Sequence, residues 1–445
     1  MRTLAAWLAL LERRHPRAID LGLERCGTVY RQLGSPRPAT RVITVAGTNG
    51  KGSTVAYLAA MSGSLGQRCG SYTSPHILRF NERISILGEP VSDQRLVGAF
   101  EQVEAVRGDV SLTYFEFTTL AALLILQQSE LDCAVLEVGL GGRLDTTNLV
   151  DTDCAVITPI GLDHQEFLGT DLSSIATEKA GIIRAGIPVV CTQKHPPAPV
   201  IQAAADLHAP LYRRGVDFDL VETDLEETPG FDCKANSAAS PQPLTFSLGN
   251  QSLTVPRSAM AGRHQADNLA AALAALVLMN PACGSAEKEI AAAIAGCKVP
   301  GRLQLINASP VIMLDVGHNA LAAEVVAETL RENNLSNVTC VLAMLAAKPA
   351  ETVAVALDGV CGRWLCADSP GDRGQHGELL ARRVKDALPA ARVSSVGSIE
   401  AAMDRALSLV GKVGTILVFG SFSAVSGALA WRSGTSRLAD PTLQG

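Results

Sequence analysis

The stretch Val45-Ala-Gly-Thr-Asn-Gly-Lys-Gly-Ser-Thr54 decides how this chain is read. The apolar run Val42, Ile43, Val45 leading into it has strand character, and Val55 to Met61 after it is helical, so the glycines sit at a strand-to-helix turn. Gly47, Gly50 and Gly52 allow backbone N–H groups to wrap phosphate oxygens with a helix N-terminus behind them. Lys51 adds a point charge, and Ser53 or Thr54 supplies a hydroxyl for a magnesium ion. The spacing departs from G-x-x-x-x-G-K-[ST], because the second glycine follows the first by three positions and another glycine separates Lys51 from Ser53. A nucleotide-binding turn is the expectation, and a mobile glycine turn with a solvated lysine is the alternative.

A chain of 445 residues exceeds the size at which one core keeps growing, so it divides into domains. Hydrophobic residues make up 47% and aromatics only 4%, which suits helices packed on parallel strands rather than an all-β sandwich. The net charge of −6 is scattered and no Lys/Arg block stands out, so no nucleic-acid partner is expected. The 11 cysteines are an odd number without a C-x-x-C pair, arguing for buried free thiols rather than disulfides or zinc. Leu4 to Leu11 has no small-residue cleavage site and reads as an amphipathic helix; no run is long enough to span a bilayer. The expectation is a cytoplasmic protein without a membrane partner.

Strand-like runs at Val42–Val45, Cys133–Val138, Ala155–Thr158 and Pro188–Cys191 alternate with helical stretches, as in a doubly wound parallel sheet. Residues 216–256, first acidic (Asp217 to Glu227) and then rich in Ser, Asn and Pro, read as a surface excursion with short β pairs. Helical periodicity returns at Asn268–Leu278. A second alternation follows Val299-Pro300-Gly301, with strands at Val311–Val316, Val338–Leu342, Arg363–Ala367 and Thr415–Phe419. The fold class is α/β with two domains: an N-terminal P-loop parallel-sheet ATPase domain, residues 1–297, and a smaller C-terminal Rossmann-like domain, residues 298–445. A cleft between two such domains is the natural place for a ligand.

Several polar clusters interrupt this apolar pattern. Glu137 breaks the buried run Cys133-Ala-Val-Leu-Glu-Val near its end, where a carboxylate is costly without a partner. It either holds the nucleotide's magnesium, or pairs with Arg143 or caps a helix. Asp163-His164 ends another strand, with Lys179 downstream; taken alone, these read as a structural histidine and a solvated helix charge. Tyr72-Thr-Ser-Pro-His76 is a polar loop in which Ser74 is either an oxygen ligand or part of an ST-turn. Leu112-Thr-Tyr-Phe-Glu-Phe117 concentrates aromatics around Glu116, either to stack a planar heterocycle or to start a core helix. Arg302 can clamp phosphate, and Asp315 can accept from a ribose or orient His318; an ordinary strand-end turn with Asn319 as helix N-cap is the alternative.

Taken together, these segments resemble the folylpolyglutamate synthase and dihydrofolate synthase family within the ATP-dependent Mur-type ligases. The likeness runs through IDLGLER (19–25), GTNGKGST (47–54), YTSPH (72–76), LTYFEF (112–117), LEVGLGGRLDTTN (136–148), GLDHQEFLG (161–169), EKAGII (178–183), PGRLQ (300–304) and DVGHN (315–319). It accounts for the irregular loop, since the family's spacing is G-x-x-G-K-G-[ST]. The resemblance implies that Thr48, Asn49, Gly50, Lys51, Gly52 and Ser53 hold ATP phosphates, with Asn268, Arg302, Asp315 and His318 completing the nucleotide site. It implies that Ser74 and Glu137 ligate one Mg2+ and His164 a second, with Lys179 carbamylated as an oxygen ligand. Thr113, Tyr114, Phe115 and Glu116, together with Leu144, Asp145 and Thr146, would border the pterin, and Arg13, Arg14, His15 and Pro16 its outer wall.

The implied catalytic set is Lys51, Glu137, His164 and Lys179. The implied reaction joins L-glutamate to dihydropteroate and to the γ-carboxyl of folates through an acyl phosphate, in a monomeric, bifunctional enzyme. Two segments depart from the family: Ala347-Lys-Pro349 stands where it reads D-K-D, and Gly420-Ser-Phe-Ser-Ala-Val425 where it reads G-S-F-H-T-V. The competing readings are a Mur-type ligase acting on a nucleotide sugar and a nucleotide-gated binding protein without ligase activity.

Overall fold

The computed structural model describes residues 2–17, 19–222, 242–371 and 373–434. The acidic and Ser/Asn/Pro-rich segment from 223 to 241, with Cys233, lies outside the described residues. The ten described cysteines are free and buried. The described chain divides into two units, Met1–Ala259 with Gln265–Lys298 and Met260–His264 with Val299–Gly445.

In the first unit an eight-stranded sheet is built from β1 (Arg41–Ala46), β2 (Cys69–Tyr72), β3 (Ile84–Ile86), β4 (Glu89–Pro90), β5 (Cys133–Glu137), β6 (Cys154–Ile157), β7 (Val189–Cys191) and β8 (Leu211–Arg213), in the order β4-β3-β2-β5-β1-β6-β7-β8. The strands β1, β5 and β6 read as unbroken apolar runs because helices cover both faces of a parallel sheet. β1 lies between β5 and β6, the position where the winding reverses, and there the carboxyl ends of neighbouring strands open a ligand crevice.

The sheet is not wholly parallel, as the sequence pattern suggested. β3 pairs antiparallel with β2 across the connection 73–83, and β4 pairs antiparallel with β3 because only Leu87 and Gly88, both at positive φ, connect them. A two-residue turn of that handedness joins antiparallel neighbours only.

The helix Lys51–Ser64 follows β1 directly, and Tyr114–Gln127 is buried along its length from Glu116 to Leu126. Trp7 and Phe100 pack on Phe117 of that helix, and Leu4–Arg14 buries Leu4, Trp7 and Leu11 on one stripe. The 216–256 excursion contains a three-stranded antiparallel sheet, β9 (Phe218–Glu222), β10 (Leu244–Leu248) and β11 (Gln251–Val255). No helix among the described residues is long and apolar enough to cross a membrane.

The second unit holds β12 (Gln304–Ala308), β13 (Val311–Leu314), β14 (Val338–Leu342), β15 (Cys361–Cys366), β16 (Arg392–Ser395) and β17 (Thr415–Phe419), ordered β12-β13-β17-β14-β15-β16. Five of these strands run parallel, and β12 is an antiparallel edge joined to β13 by the short Ser309-Pro310 turn. The core of this unit gathers Leu330, Leu342, Trp364, Leu380 and Phe419.

Candidate active site

Register brings three chain segments to one edge of the first sheet. Val45 aligns with Glu137 and Ala46 with Ile157, so the glycine turn, the end of β5 and residues 158–164 emerge side by side. The turn is laced to its neighbour: Thr48 N–H donates to the Pro159 carbonyl at 2.9 Å, and the Thr48 hydroxyl donates to Gly161 O and accepts from Gly161 N, both at 3.0 Å.

Glycine is required twice in this turn. At Gly47 (φ +152) a Cβ would stand 1.8 Å from Thr158 Oγ1 and 3.0 Å from the Thr158 carbonyl oxygen. At Gly50 (φ +88) it would meet Asn268 Oδ1 at 2.3 Å, which places the sequence-selected Asn268 against the turn. Asn268 is itself buried and donates to Gln265 Oε1 at 3.2 Å.

The Gly47 carbonyl is the meeting point of the two lysines. Lys51 Nζ donates to it at 3.1 Å, and also to Thr48 O at 3.1 Å, while Lys179 Nζ reaches it at 2.8 Å from the helix Leu172–Ala180. Lys179 is buried rather than solvated, the reading its sequence position alone favoured. Burial, helped by the Lys51 charge, pulls its amine down to about 7. An appreciable neutral fraction therefore exists near neutrality.

Of the two hydroxyls that sequence left open, Thr54 Oγ1 returns to the Gly50 carbonyl at 3.0 Å. Ser53 Oγ is buried with no hydrogen-bond partner among the described residues, a costly state that a ligand relieves. Glu137, 4% exposed, accepts from the backbone N–H of Ser74 at 3.2 Å. Arg143, its alternative partner, bonds Glu178 instead. A hydroxyl and a carboxylate beside a phosphate turn are an all-oxygen donor set that fits Mg2+. His164 takes a left-handed conformation (φ +53) at the start of the short helix Gln165–Leu168, with Nε2 3.9 Å from Asp163 Oδ2.

The aromatic segment starts a helix packed on the core, one of its two readings. Thr113 and Glu116 form a capping box at the start of Tyr114–Gln127, and Glu116 Oε1 is paired to Arg25 at 3.0 Å. Phe117 belongs to the core, while Tyr114 and Phe115 are half-buried, the Phe115 ring lying over Gly139. Asp145, between Leu144 and Thr146, is buried and accepts from Leu140 N, Thr147 N and Thr147 Oγ1, so its carboxylate caps the short helix Thr146–Leu149; burial raises its carboxyl. Arg14 is bound to Glu104, His15 lies near Asp20, and Arg13 and Pro16 are exposed.

In the second unit, Asp315 accepts from Leu303 N at 2.9 Å and Gly317 N at 2.7 Å, and burial raises its carboxyl. Arg302 lies over the Phe422 ring, with its Nε buried and unpartnered among the described residues. His318 Nδ1 is 2.9 Å from Val316 O. Asn319 caps the helix Ala320–Glu332, as its alternative reading held.

Residues 45–276 match the Mur ligase middle domain and residues 301–422 the Mur ligase, glutamate ligase domain. The dihydrofolate synthase/folylpolyglutamate synthase of Escherichia coli is 38% identical over 95% of this chain and 94% of that protein. This chain belongs to that family. A Haemophilus influenzae relative of the same name is 36% identical, covering 95% of this chain and 96% of that protein. Among solved structures, an E. coli FolC in complex with DHPP and ADP superposes with a TM-score of 0.87 at 37% identity, covering 97% of this chain and 98% of that one. A Yersinia pestis bifunctional folylpolyglutamate synthase/dihydrofolate synthase complexed with AMPPNP and Mn ion superposes at 0.85, also at 37% identity and with the same coverage. As a dihydrofolate synthase/folylpolyglutamate synthase, the chain is an ATP-dependent ligase of the Mur type.

Two elements of the site escaped the sequence reading. Thr158 is invisible because its role is to fill the space a Gly47 side chain would need. Gln265 lies one helical turn before Asn268, a spacing that carries a signal only once Asn268 is placed.

Proposed function

We propose that this ligase joins L-glutamate both to dihydropteroate, forming dihydrofolate, and to the γ-carboxyl of folates. The relatives' bifunctional name and the FolC complex with DHPP support both acceptors. The observation that carries the site assignment is the convergence of Lys51 and Lys179 on the Gly47 carbonyl.

A carboxylate resists attack by an amine, so it must first gain a leaving group. The γ-phosphoryl of ATP passes to a carboxylate oxygen of the acceptor: the new O–P bond forms as the bond to the β-phosphate oxygen breaks and ADP leaves. The glutamate amine then attacks the acyl carbon, phosphate departs, and the nitrogen loses a proton. Thr48, Asn49, Gly50, Gly52 and Ser53 cradle the phosphates, with Lys51 neutralising them and Asn268 bracing Gly50. Arg302, Asp315 and His318 are proposed nucleotide contacts of the glutamate ligase domain, supported by the unpartnered Arg302 Nε.

Ser74 and Glu137 would hold one divalent cation and His164 with Lys179 a second; such ions, when bound, neutralise charge on the transferring phosphoryl. For Lys179 this role requires carbamylation. Its neutral Nζ attacks carbon dioxide, a C–N bond forms, the displaced electrons settle on oxygen, and the nitrogen releases a proton. Tyr114, Phe115, Leu144 and Thr146 are assigned to the pterin, with Arg13, Arg14, His15 and Pro16 at its rim; Thr113, Glu116 and Asp145 hold the framework of that wall. The cytoplasmic, monomeric state belongs to the same proposal.

The test is ATP-dependent incorporation of labelled L-glutamate, assayed separately with dihydropteroate and with a reduced folate. Incorporation with one acceptor only removes the bifunctional assignment, and incorporation with neither by folded, ATP-binding protein overturns the reading. Lys179→Ala is expected to abolish turnover while ATP still binds; an undiminished rate rejects its role.

A further inference from the structure

Arg143 and Glu178 take no part in the chemistry above, yet they join the segments on which it stands. Arg143 follows the glycine turn after β5, and Glu178 precedes Lys179 in the last turn of Leu172–Ala180. Arg143 N–H donates to the Glu178 carbonyl at 2.7 Å, and its guanidinium donates through Nε (3.1 Å) and Nη2 (2.7 Å) to Glu178 Oε1. The approach leaves no room for side chains. A Cβ on Gly142 would meet the Glu178 carbonyl at 2.7 Å and Lys179 Cα at 3.1 Å, and one on Gly181 would meet Arg143 Cβ at 2.4 Å. Asn148 closes the contact, its Nδ2 donating to the carbonyls of Arg143 and Gly181, both at 3.0 Å.

Packing and backbone bonds thus already hold the two segments together. The ion pair adds direction at one point, the turn from which the Lys179 side chain departs. Its energetic worth to folding is small, because the Arg143 side chain is 53% exposed and such pairs contribute at most about 1 kcal/mol. Glu178 nevertheless keeps a second carboxylate oxygen, Oε2, buried and without a partner among the described residues, a cost that stability alone does not justify. A long, flexible lysine that must present one atom to a reaction needs its backbone fixed to a fraction of an ångström.

We propose that the Arg143–Glu178 pair is a positioning device for Lys179, clamping the post-β5 turn onto the end of its helix and setting where Nζ stands against the Gly47 carbonyl. The inference rests on the reading of Lys179 as the carbamylated ligand. The test uses the full chain with Glu178→Gln, Arg143→Gln and Arg143→Lys. Steady-state kinetics, ATP binding, thermal unfolding, and the 13C carbamate signal from labelled bicarbonate are the readouts.

Glu178→Gln and Arg143→Gln are expected to lower kcat about tenfold or more, weaken the carbamate signal, and leave KM for ATP within about twofold and Tm within about 2 °C. Arg143→Lys, which keeps the charge without the fork, restores part of both. Wild-type kcat and carbamate signal in Glu178→Gln overturn the clamp, as does a parallel loss of ATP binding and Tm that marks a structural role. Inactive Lys179→Ala beside unaffected Glu178→Gln sinks the clamp alone; active Lys179→Ala, or no carbamate in the wild type, removes the underlying reading as well.

Discussion

Replacing Gly47 by alanine tests the phosphate turn at its most constrained point. Three costs arise. The backbone, at φ +152, lies in a region nearly reserved for glycine, a penalty of about 1 to 3 kcal/mol. The Thr158 hydroxyl, which donates to Ala46 O at 3.2 Å, must turn away, losing about 1 kcal/mol. Rotation does not relieve the contact with the Thr158 carbonyl oxygen, 3.0 Å from the added carbon, so the turn itself must move off β6. The sum is about 3 to 5 kcal/mol against the native turn, or at least about a hundredfold in affinity for a ligand that needs it. Gly50→Ala is the internal control, since its clash is with the end of the Asn268 side chain, which can swing aside. That variant costs about 2 kcal/mol, roughly thirtyfold. Isothermal titration with a non-hydrolysable ATP analogue, beside thermal unfolding to confirm the fold, reads both. Gly47→Ala binding within about threefold of wild type, or Gly50→Ala binding more weakly than Gly47→Ala, refutes the reasoning.

Ser53→Ala removes a buried hydroxyl that has no partner among the described residues, so the free protein should be as stable or slightly more stable while metal–nucleotide affinity falls about tenfold; lowered stability without weaker binding contradicts the assignment. Glu116→Gln breaks a pair 5% exposed on the carboxylate side and should cost about 2 kcal/mol in urea unfolding. An unchanged midpoint with a raised KM for the pterin substrate shows that the carboxylate serves substrate rather than the helix start. His264, which burial chiefly and the Arg302 charge secondarily hold down to about 4, binds its proton more readily unfolded than folded. Stability should therefore be fully present above the unfolded value near 6.5 and fall as pH drops toward 4, by up to about 3 kcal/mol. His264→Gln should flatten that acid slope, measured as urea midpoint against pH.

The parallel strands follow from alternation of apolar runs and helical stretches, which is why β1, β5, β6, β14 and β17 were legible within a residue or two, whereas their order in each sheet was not. The antiparallel edges were not legible either, because their evidence lies in the two-residue connections of β3–β4 and β12–β13 and in a longer loop before β3, all between short, weakly patterned segments. The place of the candidate site was legible where a polar residue interrupts an apolar run, as Glu137 does, and where a glycine pattern forces a turn. The site was illegible at Lys179 on its own terms: a lysine late in a helix is ordinarily solvated, and only the folded chain buries it against Gly47. Arg143 posed the opposite difficulty. Sequence proximity suggested Glu137 as its partner, but the tight turn after β5 carries it to Glu178.

One neighbour acts on Lys179 in two opposite senses. While Lys179 is an amine, the charge of Lys51 beside the shared carbonyl disfavours its ammonium form and so enlarges the neutral fraction able to attack carbon dioxide. In the proposed carbamate the same positive charge would face a negative group, and repulsion would become attraction. Burial strengthens both effects, because it penalises the isolated ammonium and then weakens the screening between carbamate and Lys51. The missing Cβ of Gly47 lets the turn seat against Thr158, and the Gly47 carbonyl is where both lysines meet. On the proposed reading, the turn that wraps phosphate therefore also presents the carbonyl beside which a lysine from another helix becomes a carboxylate-like ligand.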